Sequence, residues 1–224
     1  RWSQTNPKLV MILCGSVANF MIKHVIHSKA LHNRKTLEIC LPPLNPQESG
    51  EFISKRGFRE KALLYMCLGG IPKYLEQIRG KDSVEHNLNR LCFVRNGFFV
   101  EEFETLFKEQ FRSVRTYETI VKELSKGSAN LSTLAKTTGL QKGGGLKQYL
   151  GNLERASFVR QYQTFSFGRH SGAKTKIFKL VDPFLVFYFN FIEPNKKIIE
   201  KNVGSNLFSD ITKDRLSPFL GLQF

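Results

Sequence analysis

The stretch GRHSGAKT at 168–175 comes nearest in this chain to a nucleotide-binding motif. A phosphate loop needs four residues between its glycines, then Lys and Ser or Thr, with a strand before it and a helix after it. Here three residues separate Gly168 from Gly172, Ala173 intrudes before Lys174, and a strand-like run follows. No helix N-terminus follows to aim its amides at a phosphate, so the stretch is expected to be a hairpin loop. Ser16 with His24 or His27 has the residue types of a nucleophile and its base, but GxSxG is absent and nothing specifies a third member. His24, His27 and His32 cluster without the four-ligand spacing of a zinc site, and no metal site is expected. Asp182, in KLVDPF, precedes a proline and an aromatic run and does not close an apolar strand as a magnesium-holding carboxylate would.

A different chemistry is better supplied. Around residues 144–155, Leu146, Leu150 and Leu153 recur at helical spacing and define a buried face. At 100° per residue, Gln148 and Arg155 lie opposite that face, flanked by Lys147 and Asn152. Gln, Asn and Arg can read base edges bidentately, and Lys suits phosphate. Arg169, His170, Lys174 and Lys176 lie in and beside the hairpin loop, where they are expected to contact backbone or minor groove. Duplex DNA is the partner these residue types fit, although Gly143, Gly144 and Gly145 weaken the helix start by roughly 1 kcal/mol per glycine relative to alanine.

The elements that would position these side chains are legible in the surrounding pattern. In residues 113–192, Tyr117, Ile120, Val121 and Leu124 mark a first helix ended by KGSAN, and Leu131, Leu134 and Ala135 mark a second, with Ser132 expected as its cap. Gly139 and Leu140 make the turn into the third helix, and FVRQYQTFSF and KTKIFKL follow as two hairpin strands. Three helices and a hairpin are the order of a winged helix-turn-helix. Residues 50–112 read as helical hairpins: FREKALLYMCL closes on Gly69-Gly70, and Pro72 opens the next helix. Near the start, LVMILC at 9–14 and TLEICLPPL at 36–44 read as short strands of a parallel sheet, joined by an amphipathic helix.

Bulk composition narrows the partners further. The net charge is +15, and residues 113–192 carry twelve Lys or Arg against four Asp or Glu, which favours a polyanion. A solvated basic surface serving solubility is the plainer alternative. The four cysteines, Cys14, Cys40, Cys67 and Cys92, have neither CxxC nor disulfide-scaffold spacing and read as reduced, buried thiols in a cytoplasm. No apolar run reaches the roughly 18 residues of a membrane span, and no signal peptide is evident. No membrane partner is therefore expected.

The order of segments resembles the archaeal and bacterial ATPase family, signal-transduction ATPases with numerous domains (STAND) within the AAA+ superfamily. The resemblance runs over residues 8–200 and rests on LVMILCGS, KALHNRKTLEICLPPL, YMCLGGIPKYLEQI and KLVDPFLVFYFNFI in that order. It implies that Ser16 holds the sensor-1 place facing a γ-phosphate. It implies that Arg34 is the arginine before the last sheet strand, able to act as an arginine finger. It also implies that Gly70 and Pro72 form the Gly-x-Pro signature that brings lid backbone against the nucleotide base. Before that strand the family reads Ser-Pro-Leu-Tyr-Gly-Arg, of which only Ser28, Leu31 and Arg34 survive here; Phe187-Tyr188 stands for the usual Phe-Trp.

The expected fold is α+β in three parts, with residues 1–46 as the remnant of a parallel α/β AAA+ core, 47–112 as a helical lid and 113–192 as the winged helix. Residues 193–224 are expected to be a linker and the start of a further domain, SPFLGLQF resembling the beginning of a nuclease-like one. The resemblance implies ATP and Mg2+ as cofactors of a complete parent protein, and neither is expected to bind this chain alone, which lacks Walker A and B. Expected partners are duplex DNA, an N-terminal ATPase core and, as in other switch ATPases, further copies of the chain. Two alternatives stay open: a winged-helix regulator without ATPase activity, and a winged helix serving only as a packing module.

Overall fold

The structure is a computed structural model that describes residues 10–15, 36–39, 41–164, 175–202 and 205–223. By internal contacts the chain divides into residues 1–38 and 39–224.

In the first unit, residues 10–15 and 36–38 have no regular secondary structure. The strands expected at 9–14 and 36–44 are therefore not formed among the described residues; 41–45, in the second unit, are likewise irregular. The reason is the absence of a hydrogen-bonding neighbour. A strand apolar on both faces exists only inside a sheet that pairs both its edges, and Val10, Met11, Ile12 and Leu13 are 81%, 72%, 83% and 56% exposed. The helix expected between the two runs lies outside the described residues.

In the second unit, helices come first. α1 (Pro46–Phe52) begins with a capping box in which Asn45 Oδ1 accepts from the amides of Gln47 and Glu48, and Glu48 reaches back to the Asn45 amide. α2 (Phe58–Leu68) ends at Gly69, whose φ of 75° lets the chain turn where a side chain would press on Pro183. α3 (Pro72–Leu75), α4 (Val84–Cys92) and α5 (Glu102–Gln110) follow. Ser83 caps α4 by accepting from the His86 amide at 3.1 Å.

From α6 (Val114–Ser125) the order is helix, strand, helix, helix, two strands: β1 (Ala129–Asn130), α7 (Leu131–Thr138), α8 (Gly144–Arg155), β2 (Val159–Gln163) and β3 (Lys176–Leu180). The helices and hairpin strands stand in the predicted order, and β1 is an addition. The sheet is antiparallel in the order β1-β3-β2, with Val159 opposite Leu180, Arg160 opposite Lys179 and Gln163 opposite Lys176. Asn130, not Ser132, caps α7: its backbone is extended and its side chain accepts from the Thr133 amide at 2.9 Å. Gly139 closes α7 in the left-handed conformation at φ 70°.

Past β3 one helical rod changes its pitch twice. α9 (Pro183–Phe187) runs into a π-helix (Tyr188–Ile192), a 3-10 turn (Glu193–Asn195) and α10 (Lys196–Ile199). A π-turn breaks the i to i−4 ladder, and side chains answer carbonyls along this stretch: Asn190 donates to Val186 O at 2.8 Å, Asn195 to Phe191 O at 2.9 Å and Arg215 to Asn190 O at 3.1 Å. α11 (Leu207–Thr212) and α12 (Leu216–Gln223) complete the unit.

A single aromatic core runs across the boundary expected at 112–113. Phe107 stacks on Phe158 at 5.5 Å, Phe111 on Tyr117 at 3.9 Å and Phe103 on Tyr188 at 5.0 Å. Residues 193–224 are no detached linker, since Phe208 and Phe219 are buried against Phe93 and Phe187 of that same core. The fold is α+β. Among the described residues no helix is long and apolar enough to cross a membrane.

Candidate nucleic-acid interface

α8 starts inside the glycine triplet, with Gly143 as N-cap and no side-chain cap. Leu146, Leu150 and Leu153 are buried as predicted, which turns Lys147 and Gln148 to solvent. Asn152 corrects the expectation. It is only 8% exposed, and its amide donates to the Tyr117 hydroxyl at 2.5 Å. The three leucines alone define a narrow face, but Tyr149 packs edge-on against Tyr117 at 4.9 Å and widens that face until it takes in Asn152. Asn152 is thus a buried link between α8 and α6 and no reader of bases. Arg155 is exposed, but its guanidinium donates to Asn152 Oδ1, which holds it along its own helix.

Beside α8 lies an open groove of about 720 Å³ between the helix, the start of α7 and the inner side of the β2–β3 hairpin. Lys142, Lys147 and Lys176 stand around it, with Ser132 and Gln161. Glu154 is the acidic member of the lining, and it is partly engaged by the Gln161 amide at 3.2 Å. The groove is therefore cationic on balance and polar at its floor, suited to phosphate oxygens more than to an apolar ligand. Of the predicted hairpin residues, Lys176 is exposed at the first position of β3, while Arg169, His170 and Lys174 lie outside the described residues.

Ser16 and Arg34 also lie outside the described residues, as do His24, His27 and His32. Gly70 and Pro72 are placed: Pro72 opens α3, and a Cβ at Gly70 would stand 1.8 Å from Leu44 O. The Leu44 amide donates to Gly70 O at 2.8 Å, so the close backbone approach at this glycine is made by the 41–45 segment. Among the described residues no His, Cys, Asp or Glu group has the arrangement of a metal site. Cys67 and Cys92 are buried as expected, and burial pushes both thiols up; Cys14 is exposed because nothing described covers its segment, and Cys40 lies outside the described residues.

Two features near the rod escaped the sequence reading. Asp182 caps α9 by accepting from the Leu185 amide at 2.8 Å, and enclosure of its carboxyl pushes its pKa up to about 6 against the pull of that amide. Tyr74 donates to Glu102 at 2.9 Å, and burial followed by that carboxylate pushes its hydroxyl well up. The Asp-Pro start of α9 signals the cap; nothing in the sequence signals the tyrosine–glutamate pair across 28 residues.

No family model matches this chain and no solved structure matches it. A curated protein of Methanocaldococcus jannaschii, described only as an uncharacterized protein, is similar to it, 28% identical over 201 residues. That match covers 88% of this chain, and the chain spans 44% of the relative's length.

Proposed function

We propose that residues 113–192 form a winged helix-turn-helix that contacts duplex DNA, carried on the helical lid of a nucleotide-dependent AAA+ switch ATPase. The observation that carries the DNA contact is the convergence of Lys142, Lys147 and Lys176 on one groove beside an exposed Gln148. Lysines at such a groove supply phosphate contacts, and Gln148 is the remaining side chain on α8 free to meet a base edge.

The ATPase part of the reading rests on the resemblance and on the uncovered apolar run Val10–Leu13, which has the composition of a strand seated in a larger parallel sheet. In that arrangement Ser16 and Arg34 would face the γ-phosphate of ATP, and Mg2+ would be held by Walker residues that this chain lacks. The chain alone then turns over no ATP. Buried, reduced Cys67 and Cys92 fit a cytoplasmic setting.

The test is fluorescence anisotropy of the full chain with a labelled duplex at low salt. Binding that weakens steeply as salt rises is expected, because lysine–phosphate contacts release counterions. Absence of binding favours a second reading, which the stacking of Phe107 on Phe158 and Phe111 on Tyr117 supports: the winged helix as a module packed on the lid to stiffen it.

A further inference from the structure

The hairpin has a second, outward side that the groove does not use. In β2 and β3 side chains alternate between faces. Phe178, Leu180 and Val159 turn inward and are buried, whereas Arg160, Tyr162 and Lys179 turn outward and are exposed, Tyr162 by 39%. Arg160 and Lys179 are direct cross-strand partners. Like charges directly opposite in an antiparallel pair destabilise the sheet, since their Cβ atoms stand only about 5 Å apart. Among the described residues no carboxylate pairs with either cation. Nor does the hairpin's own sequence offer one: residues 159–180 contain Arg160, Arg169, Lys174, Lys176 and Lys179 and neither Asp nor Glu. α8, by contrast, carries Glu154, has lost Asn152 to the core and has Arg155 tied to that asparagine.

We propose that this outward face of the hairpin, with Arg160 and Lys179 on phosphates and Tyr162 against the sugar edge, is a second contact surface for duplex DNA and supplies most of its affinity without reading sequence. The proposal rests on the DNA-binding reading above and relocates its energetic centre from α8 to the hairpin. A repulsive cation pair left uncompensated in the free protein is relieved when phosphate lies across it, so the ligand gains what the free sheet lacks. Backbone contacts of this kind hold any sequence equally well.

The experiment is anisotropy of the full chain with a labelled mixed-sequence duplex over a series of salt concentrations. Arg160→Gln with Lys179→Gln is expected to weaken binding roughly tenfold at 0.1 M salt and to flatten the slope of log K against log salt by about two, one for each phosphate released. Lys147→Ala with Gln148→Ala is expected to have the smaller effect. Should the first double variant lose its far-UV dichroism, Arg160→Lys with Lys179→Arg keeps both charges and is expected to bind with the wild-type slope, while each single glutamine variant flattens the slope by about one. Wild-type slope in the glutamine variants, alongside weakened Lys147→Ala, overturns this inference and leaves the α8 reading intact. No binding by the wild type overturns both. Tighter binding of a single-stranded oligonucleotide of the same sequence overturns the duplex assignment.

Discussion

A methyl group at residue 70 would lie 1.8 Å from Leu44 O and 2.7 Å from its carbonyl carbon, contacts that no backbone can tolerate without moving. Gly70→Ala is expected to destabilise the chain by roughly 2–4 kcal/mol, read from the denaturation midpoint, because the displaced partner is main chain and the Leu44–Gly70 hydrogen bond goes with it. A midpoint within error of wild type would free Gly70 from this packing role. Asp182 makes a pH-dependent prediction. Its folded pKa of about 6 lies above the ordinary 3.8, so folding favours the protonated form. The associated stability is present below the ordinary value and is lost as pH rises through about 6. Asp182→Asn keeps an acceptor for the Leu185 amide and removes the enclosed charge. It is expected to raise the thermal midpoint at pH 7, by a difference of at most about 3 kcal/mol, with the advantage vanishing toward pH 4. An equal midpoint at both pH values would show that the carboxylate is solvated.

Helices with regular apolar spacing and strong end signals were readable without a structure, and α2, α4, α6 and α8 show why. Each repeats apolar residues at three and four, and Gly69, Ser83 and Gly139 mark the ends of elements through backbone conformation or capping. What the pattern lacks is knowledge of neighbours. A wheel drawn from Leu146, Leu150 and Leu153 leaves Asn152 outside because Tyr117, 35 residues earlier, is what extends the face. Likewise, an apolar run such as LVMILC specifies a strand only where another strand lies beside it. Within the candidate site, Lys147, Gln148 and Lys176 were legible as exposed cations or amides, whereas the Arg160–Lys179 pairing required the strand register. Asn152→Ala tests the corrected role. Removing the amide strands the Tyr117 hydroxyl and frees Arg155, which is expected to lower stability by about 1–3 kcal/mol while leaving the salt dependence of DNA binding unchanged. A stable variant with weakened binding would restore Asn152 to the interface.

At the scale of the molecule, residues 39–224 behave as one packed body because aromatic rings from both of the expected domains share its centre. Phe107 is fully buried between Phe103, Phe111 and Phe158. Phe107→Ala is expected to destabilise by roughly 3–5 kcal/mol, and the loss should appear as one cooperative transition in far-UV dichroism and in tyrosine fluorescence alike. Two separate transitions would show that lid and winged helix fold independently. The π-helix at Tyr188–Ile192 has a consequence for how such a chain can diverge. A π-turn is a helix holding one residue more than its α-helical phase allows. Deleting one residue there would restore the α-ladder but swing every later side chain by about 100° about the axis. Ile199, and the two C-terminal helices that follow it, would then be out of phase with their seats. Length between 183 and 199 should therefore be held more tightly among related chains than the identity of most residues within it, and an insertion or deletion there should be matched by a second, compensating one close by.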